Sequence, residues 1–167
     1  MPINYLKESE KYKPQKVKLL LVGEAPPPNR RRYFYVPRAM KVRRLVRKDT
    51  SLSATIFNHY FLERPDTEEK YISFLKKLKK KGVFLIDIVD KPLFVRIKGG
   101  VNQLAILKIK NAINHLRKKI KQRKIKISDE FIIFLIPRTH YKKEIKHEFP
   151  NSMIVRWIDF RLNRINI

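Results

Sequence analysis

Four short, mainly apolar runs punctuate the chain: 17–23 (VKLLLVG), 83–89 (VFLIDIV), 131–136 (FIIFLI) and 152–158 (SMIVRWI). Each has the length and the flanking breakers of a buried strand. Pro26, Pro27 and Pro28 force the first run into a rigid loop, because proline fixes φ and lacks the amide donor; Pro92 and Pro137 close the second and third. Between the runs the apolar spacing turns helical. Residues 38–62 read as helix with a break near Asp49–Ser51. Residues 67–81 place Tyr71, Phe74, Leu75 and Leu78 at i, i+3, i+4 and i+7. Asp66 or Thr67 can cap that helix, Glu68 and Glu69 occupy its first turn, lysines crowd its last, and Gly82 stops it. Residues 102–123 predict a long basic helix with Ile109, Ile113, Leu116 and Ile120 on one face, and 140–148 a short one. The first twelve residues read as a loose arm or a short helix. The order β-α-α-β-α-β-α-β, with strands apolar throughout, predicts one α/β domain over 1–167 around a parallel sheet covered on both faces.

Composition changes the picture through charge. The chain has 167 residues, 40 Lys and Arg against 15 Asp and Glu, and a formal net charge of +25. A pI near 10.4 points to a polyanionic partner, with DNA (or RNA) ahead of an anionic membrane. Thermal adaptation would also enrich Lys, Arg and Ile, but ion-pair networks need both signs. With 43% apolar residues, wholesale disorder is not expected. The absence of cysteine excludes disulfides, an iron–sulfur cluster and cysteine–zinc sites. No apolar run reaches the roughly 18 residues of a membrane span, and the polar start MPINYLKESEKYK is no signal peptide. A cytoplasmic protein without membrane attachment is expected. The four glycines form no phosphate-binding or dinucleotide motif, no nucleophile elbow is present, and His59, His115, His140 and His147 lack zincin spacing. No metal or other cofactor is expected, and His140 and His147 are expected to face solvent.

Ligands of open parallel sheets bind beyond the carboxyl ends of the strands. Those positions carry Glu24, then Asp87 and Asp90, then Arg138, Thr139 and His140, then Asp159, Phe160 and Arg161. A carboxylate on a face that meets phosphate needs a reason. Glu24 can cap a helix, pair with an arginine, or take part in catalysis. Asp87, flanked by Leu85, Ile86, Ile88 and Val89, needs a partner or a proton, since a lone buried charge is costly. Tyr33, Phe34 and Tyr35 follow Arg30, Arg31 and Arg32. Three consecutive rings cannot all point inward on a regular element, so at least one is expected to be available for stacking on a base or packing on the sheet edge.

Val22-Gly23-Glu24-Ala25-Pro26 after an apolar strand resembles the first motif of the uracil-DNA glycosylase superfamily, closest to members reading GEAPG and to relatives with a GE-S/A-PP start and an aromatic-rich stretch. The resemblance implies a three-layer α/β/α sandwich around a four-stranded parallel sheet, and hydrolysis of a base–deoxyribose bond in DNA. A base must leave the stack to be cut, and the bond breaks through a positively charged sugar that a carboxylate can stabilise. By resemblance Glu24 would supply that carboxylate, and Phe34, Tyr33 or Tyr35 would stack on the flipped base. Pro26 and Pro27 would press on the backbone, with Arg30, Arg31, Arg32 and Arg138 on phosphates. Asp87 stands where the family reads the base with Asn. GEAPG-type members hold an iron–sulfur cluster, which this chain cannot. Asp159-Phe160-Arg161-Leu162 replaces the family's His-Pro-Ser, so Arg161 or His140 would have to steady the departing base. An ionised Asp87 only accepts hydrogen bonds and disfavours uracil; a protonated one would mimic the amide. The basic composition favours the ionised form. A non-catalytic nucleic-acid-binding protein on the same fold is the alternative, and a hydrolase of free nucleosides would hardly need such charge.

Overall fold

The computed structural model describes residues 4–40, 51–97, 100–136 and 139–156. Its centre is a parallel four-stranded sheet of β1 (Leu19–Gly23), β2 (Val83–Asp87), β5 (Ile132–Leu135) and β6 (Met153–Val155), in the order β2-β1-β5-β6. Every residue of β1, β2 and β5 is buried, which is why these strands are apolar at consecutive positions and not at alternate ones. The connection from β1 to β2 passes through α2 (Leu52–Phe61) and α3 (Glu68–Lys81). The connection from β2 to β5 runs the other way, over β1, through α4 (Gln103–Asn114) and α5 (Leu116–Gln122), and α6 (Lys142–Glu148) joins β5 to β6. Crossovers of one hand in opposite directions lay their helices on opposite faces. Accordingly Leu21, Val83 and Leu85 meet Ile56, Leu75 and Leu78 of α2 and α3, whereas the Phe84 ring faces Arg123 after α5, at 4.9 Å. The architecture is the expected three-layer α/β/α sandwich.

Local chemistry sets the element ends. Thr67 Oγ1 accepts from the Lys70 amide and caps α3, whose last residues are lysines opposing the helix dipole. Gly82 ends it at φ 80°, a left-handed conformation that suits glycine; a Cβ there would lie 2.8 Å from Lys18 Cγ. Ser51 Oγ accepts from the Ala54 amide at the start of α2. Of the helix expected over 38–62, residues 52–61 are helical, 38–40 are irregular, and 41–50 lie outside the described residues.

One further expectation is corrected, and two details are added. The helix expected over 102–123 is two helices, broken at His115, where φ −106° and ψ 0° leave the helical region. Ile113 and Leu116 are buried on either side of the break, so the apolar stripe does not reveal it. After β2 the chain forms a small antiparallel hairpin, β3 (Arg96–Ile97) with β4 (Gly100–Val101), too short to leave an alternating pattern. The fourth strand spans three described residues, and 157–158 lie outside the described part.

The first described residues form a docked helix, α1 (Tyr5–Glu10), capped by the Asn4 side chain. Tyr5 packs edge-on against Tyr33 at 4.8 Å, and beyond the helix Tyr12 stacks on Tyr35. Here β2 is an edge strand whose outward amides and carbonyls need partners. The Tyr35 hydroxyl supplies them, accepting from the Leu85 amide (2.8 Å) and donating to the Leu85 carbonyl (2.9 Å).

Candidate functional site

Parallel pairing brings the two candidate carboxylates to one edge. β1 and β2 run in register, so Gly23 lies beside Asp87 on the last rung. Pairing continues past the strands: the Ile88 amide donates to the Gly23 carbonyl (2.8 Å) and the Val89 amide to the Glu24 carbonyl (3.2 Å). Glu24 and Asp87 therefore emerge at the carboxyl edge on neighbouring strands. β5 lies on the other side of β1, and the turn Thr139–Tyr141 leaves the same edge after it.

Asp87 is buried at 9% exposure. Its carboxylate leans across β1 over Gly23, where a Cβ would lie 2.7 Å from Oδ1. Glycine at 23 is thus what makes room for the acid. Burial raises the Asp87 pKa to about 7 from a usual 3.8; Lys119 opposes the rise, Asp90 adds to it, and Arg123 opposes it. The general positive charge does not hold Asp87 ionised, as composition suggested, because desolvation outweighs the nearby cations. Near neutrality both of its forms are populated.

Lys119, which the sequence reading did not single out, fixes the turn after β2. Its Nζ donates to the carbonyls of Asp87 (2.7 Å) and Ile88 (3.3 Å) and pairs with Asp90 at 2.6 Å. Arg123 reaches the same flank, donating to Ser9 Oγ (2.8 Å) and pairing with Glu10 (2.7 Å). Nothing in their spacing separates these two cations from the other basic residues of that helix. Glu24 is half-buried, with Oε1 shielded from solvent.

Of the two roles expected for the aromatic run, packing on the sheet edge is met by Tyr35 on β2, and stacking on a base is not. Tyr33, Phe34 and Tyr35 are all buried, at 5%, 5% and 2% exposure, so none stands free to stack on a base. They follow a 3-10 turn at Arg30–Arg32 and enter bends, where no fixed period sends neighbours to opposite sides. Tyr33 donates to the Tyr5 carbonyl (3.2 Å) under α1, Phe34 lies against Phe57 at 5.6 Å, and Tyr35 seals β2. Pro26 is also buried and cannot press on a backbone; Pro27 is half-buried, its carbonyl accepting from Tyr5. Phe94 is an exposed ring, 63% accessible on the loop after β2, with no sequence signal beyond its place in a loop.

Arg31 and Arg32 are exposed on the loop after β1, and the backbone of Arg30 shares their turn. His140 is exposed, edge-on to Tyr141, and His147 is exposed as expected. Arg138, Asp159, Phe160 and Arg161 lie outside the described residues. Among the described residues no group of three or more His, Asp or Glu could hold a metal ion, and no helix is long and apolar enough to cross a membrane. A cleft of about 160 Å³ lies away from this edge, between α5 and the start of β5, lined by Arg117, Ile120, Lys121 and Ile132 among others. No family model, curated protein or solved structure matches the chain.

Proposed function

We propose that the protein hydrolyses the N-glycosidic bond of a damaged or deaminated base flipped out of DNA. The observation that carries this reading is the placement of Glu24 and Asp87 on adjacent strands at the carboxyl edge of a parallel sheet, in a chain of net charge +25. In this reading Glu24 stabilises positive charge on the sugar or aligns the attacking water. Asp87 reads the base. With a pKa near 7 it can accept from a base amino group when ionised, or offer both O–H and carbonyl to a uracil-like edge when protonated. Stacking on the extruded base passes from the buried tyrosines to Phe94. Arg31 and Arg32 lie where they can take phosphates.

The test is a panel of duplexes carrying uracil, hypoxanthine, xanthine, 8-oxoguanine or a mismatched thymine, treated with alkali after incubation to cut abasic sites. At least one duplex is expected to be cut by the native protein. Glu24→Gln should lose about a hundredfold or more of that rate with little change in binding. A specific observation favours a second reading, a non-catalytic nucleic-acid-binding protein on this fold: Tyr33, Phe34, Tyr35 and Pro26 all serve the core. Salt-sensitive binding to every duplex with no cleavage of any would select it.

A further inference from the structure

We infer that the amino edge of the sheet, opposite the candidate catalytic edge, is a separate docking face for a nucleic-acid phosphate backbone. Three segments build it. Residues 11–18 hold four Lys, 76–81 five Lys and 121–126 four Lys or Arg, with no Asp or Glu in any of them. The sequence scatters them over more than a hundred positions, and the fold brings them together. The Lys18 amide donates to the Gly82 carbonyl (2.8 Å), Lys79 Nζ to the Lys11 carbonyl (3.0 Å), and Lys13 Nζ to the Arg123 carbonyl (2.5 Å).

Neighbouring acids neutralise only part of this face, pairing with Lys11, Lys13 and Arg123 among its thirteen cations. Glu8 is taken by Lys11, Glu10 by Lys13 and Arg123, and Asp129 by Arg117. Lys16, Lys18, Lys80, Lys81, Lys124 and Lys126 are exposed, and none forms an ion pair with a described carboxylate. The helix dipole explains lysines in the last turn of α3, but not those in the irregular segments 11–18 and 124–126.

Lys124 gives an independent sign. It sits just past α5 at φ 53°, with its amide bonded to Lys121 O (2.9 Å) and that of Ile125 to Ile120 O (3.1 Å). This paired closure of a helix end favours glycine at the left-handed position. A lysine there accepts backbone strain while keeping a cation on the surface. Nucleic acid fits better than membrane because no large exposed apolar side chain lies within the three segments, and Phe131 and Met153, at the amino ends of β5 and β6, stand singly where interfacial binding needs a continuous apolar face. The face lies about 16 Å from the carboxyl edge, the rise of a five-residue strand. It binds without requiring base excision.

The test follows anisotropy of a labelled, lesion-free DNA duplex between about 50 and about 200 mM NaCl. Lys16→Gln, Lys18→Gln, Lys80→Gln and Lys81→Gln combined should weaken binding at least about tenfold and lower the salt slope by up to about 3.6, near 0.9 for each of four lost contacts. Lys124→Gly should raise Tm while weakening the same binding, which separates loss of contact from loss of fold. An unchanged slope and affinity in the quadruple variant overturns the inference. So does loss of binding to phosphatidylserine vesicles in that variant with DNA affinity intact. Because the duplex has no lesion, a failed cleavage panel leaves this result standing, and the reverse.

Discussion

Asp87 carries the sharpest residue-level consequence. Its folded pKa of about 7 exceeds its usual 3.8 because burial disfavours the carboxylate. Below about pH 4 the group is protonated in both folded and unfolded chains and costs nothing. Between about pH 4 and pH 7 the unfolded chain ionises while the folded one keeps its proton, so stability falls as pH rises. Above the folded value the loss is complete and amounts to at most about 4 kcal/mol, on about 1.4 kcal/mol per unit. Asp87→Asn removes this dependence. Urea unfolding should show the variant more stable than the native protein at pH 8 and nearly equal to it at pH 4. A difference that stays constant with pH would mean that Asp87 remains ionised throughout. The same substitution tests base reading, since an amide should shift cleavage toward uracil.

At the scale of elements, edge strand β2 is protected by a side chain. One hydroxyl on Tyr35 pairs both the amide and the carbonyl of Leu85, a position that would otherwise template another strand. Tyr35→Phe keeps the ring against Phe34 and Tyr12 but leaves both backbone groups buried without partners. The expected cost is about 2–6 kcal/mol, from roughly 1–3 for each of the two unsatisfied groups. Hydrogen exchange should show the Leu85 amide losing protection more than those of β5. Equal protection in both proteins would mean that another group takes over the edge. Since α1 covers Tyr33 and Tyr12 lies on Tyr35, the N-terminal segment belongs to this seal and is not a loose arm.

For the whole molecule the surplus of positive charge is the dominant long-range term. Self-repulsion at +25 destabilises the compact state, and mobile ions screen it. Tm should therefore rise by several degrees between about 0.05 and about 0.5 M NaCl, followed by circular dichroism. A short duplex at low salt should raise it as well, because a ligand that binds the folded state stabilises it. A Tm that falls with salt would mean that favourable ion pairs outweigh repulsion, as in a surface built for thermal adaptation. The cations are not spread evenly. Arg31 and Arg32 stand at the carboxyl edge, while the lysines of 11–18 and 76–81 gather at the amino edge.

What could be read along the chain is what depends on neighbours in sequence. Runs such as 83–89 declare buried strands because both faces are covered, and Thr67 and Gly82 declare the ends of α3 through local hydrogen bonds and backbone preference. Strand ends then place Glu24 and Asp87 on one edge, since parallel strands share a direction. The rest depends on contacts between distant residues. Tyr33, Phe34 and Tyr35 are all buried because α1 and β2 enclose an irregular segment that has no period of its own. The break at His115 is hidden by a stripe that continues across it. The pKa of Asp87 follows from desolvation beside Gly23, and the lysine face exists because Lys18 meets Gly82, Lys79 meets Lys11 and Lys13 meets Arg123 at the foot of the sheet. Burial and field strength are sums over everything nearby in space, and a linear pattern holds only the part of that sum contributed by sequence neighbours.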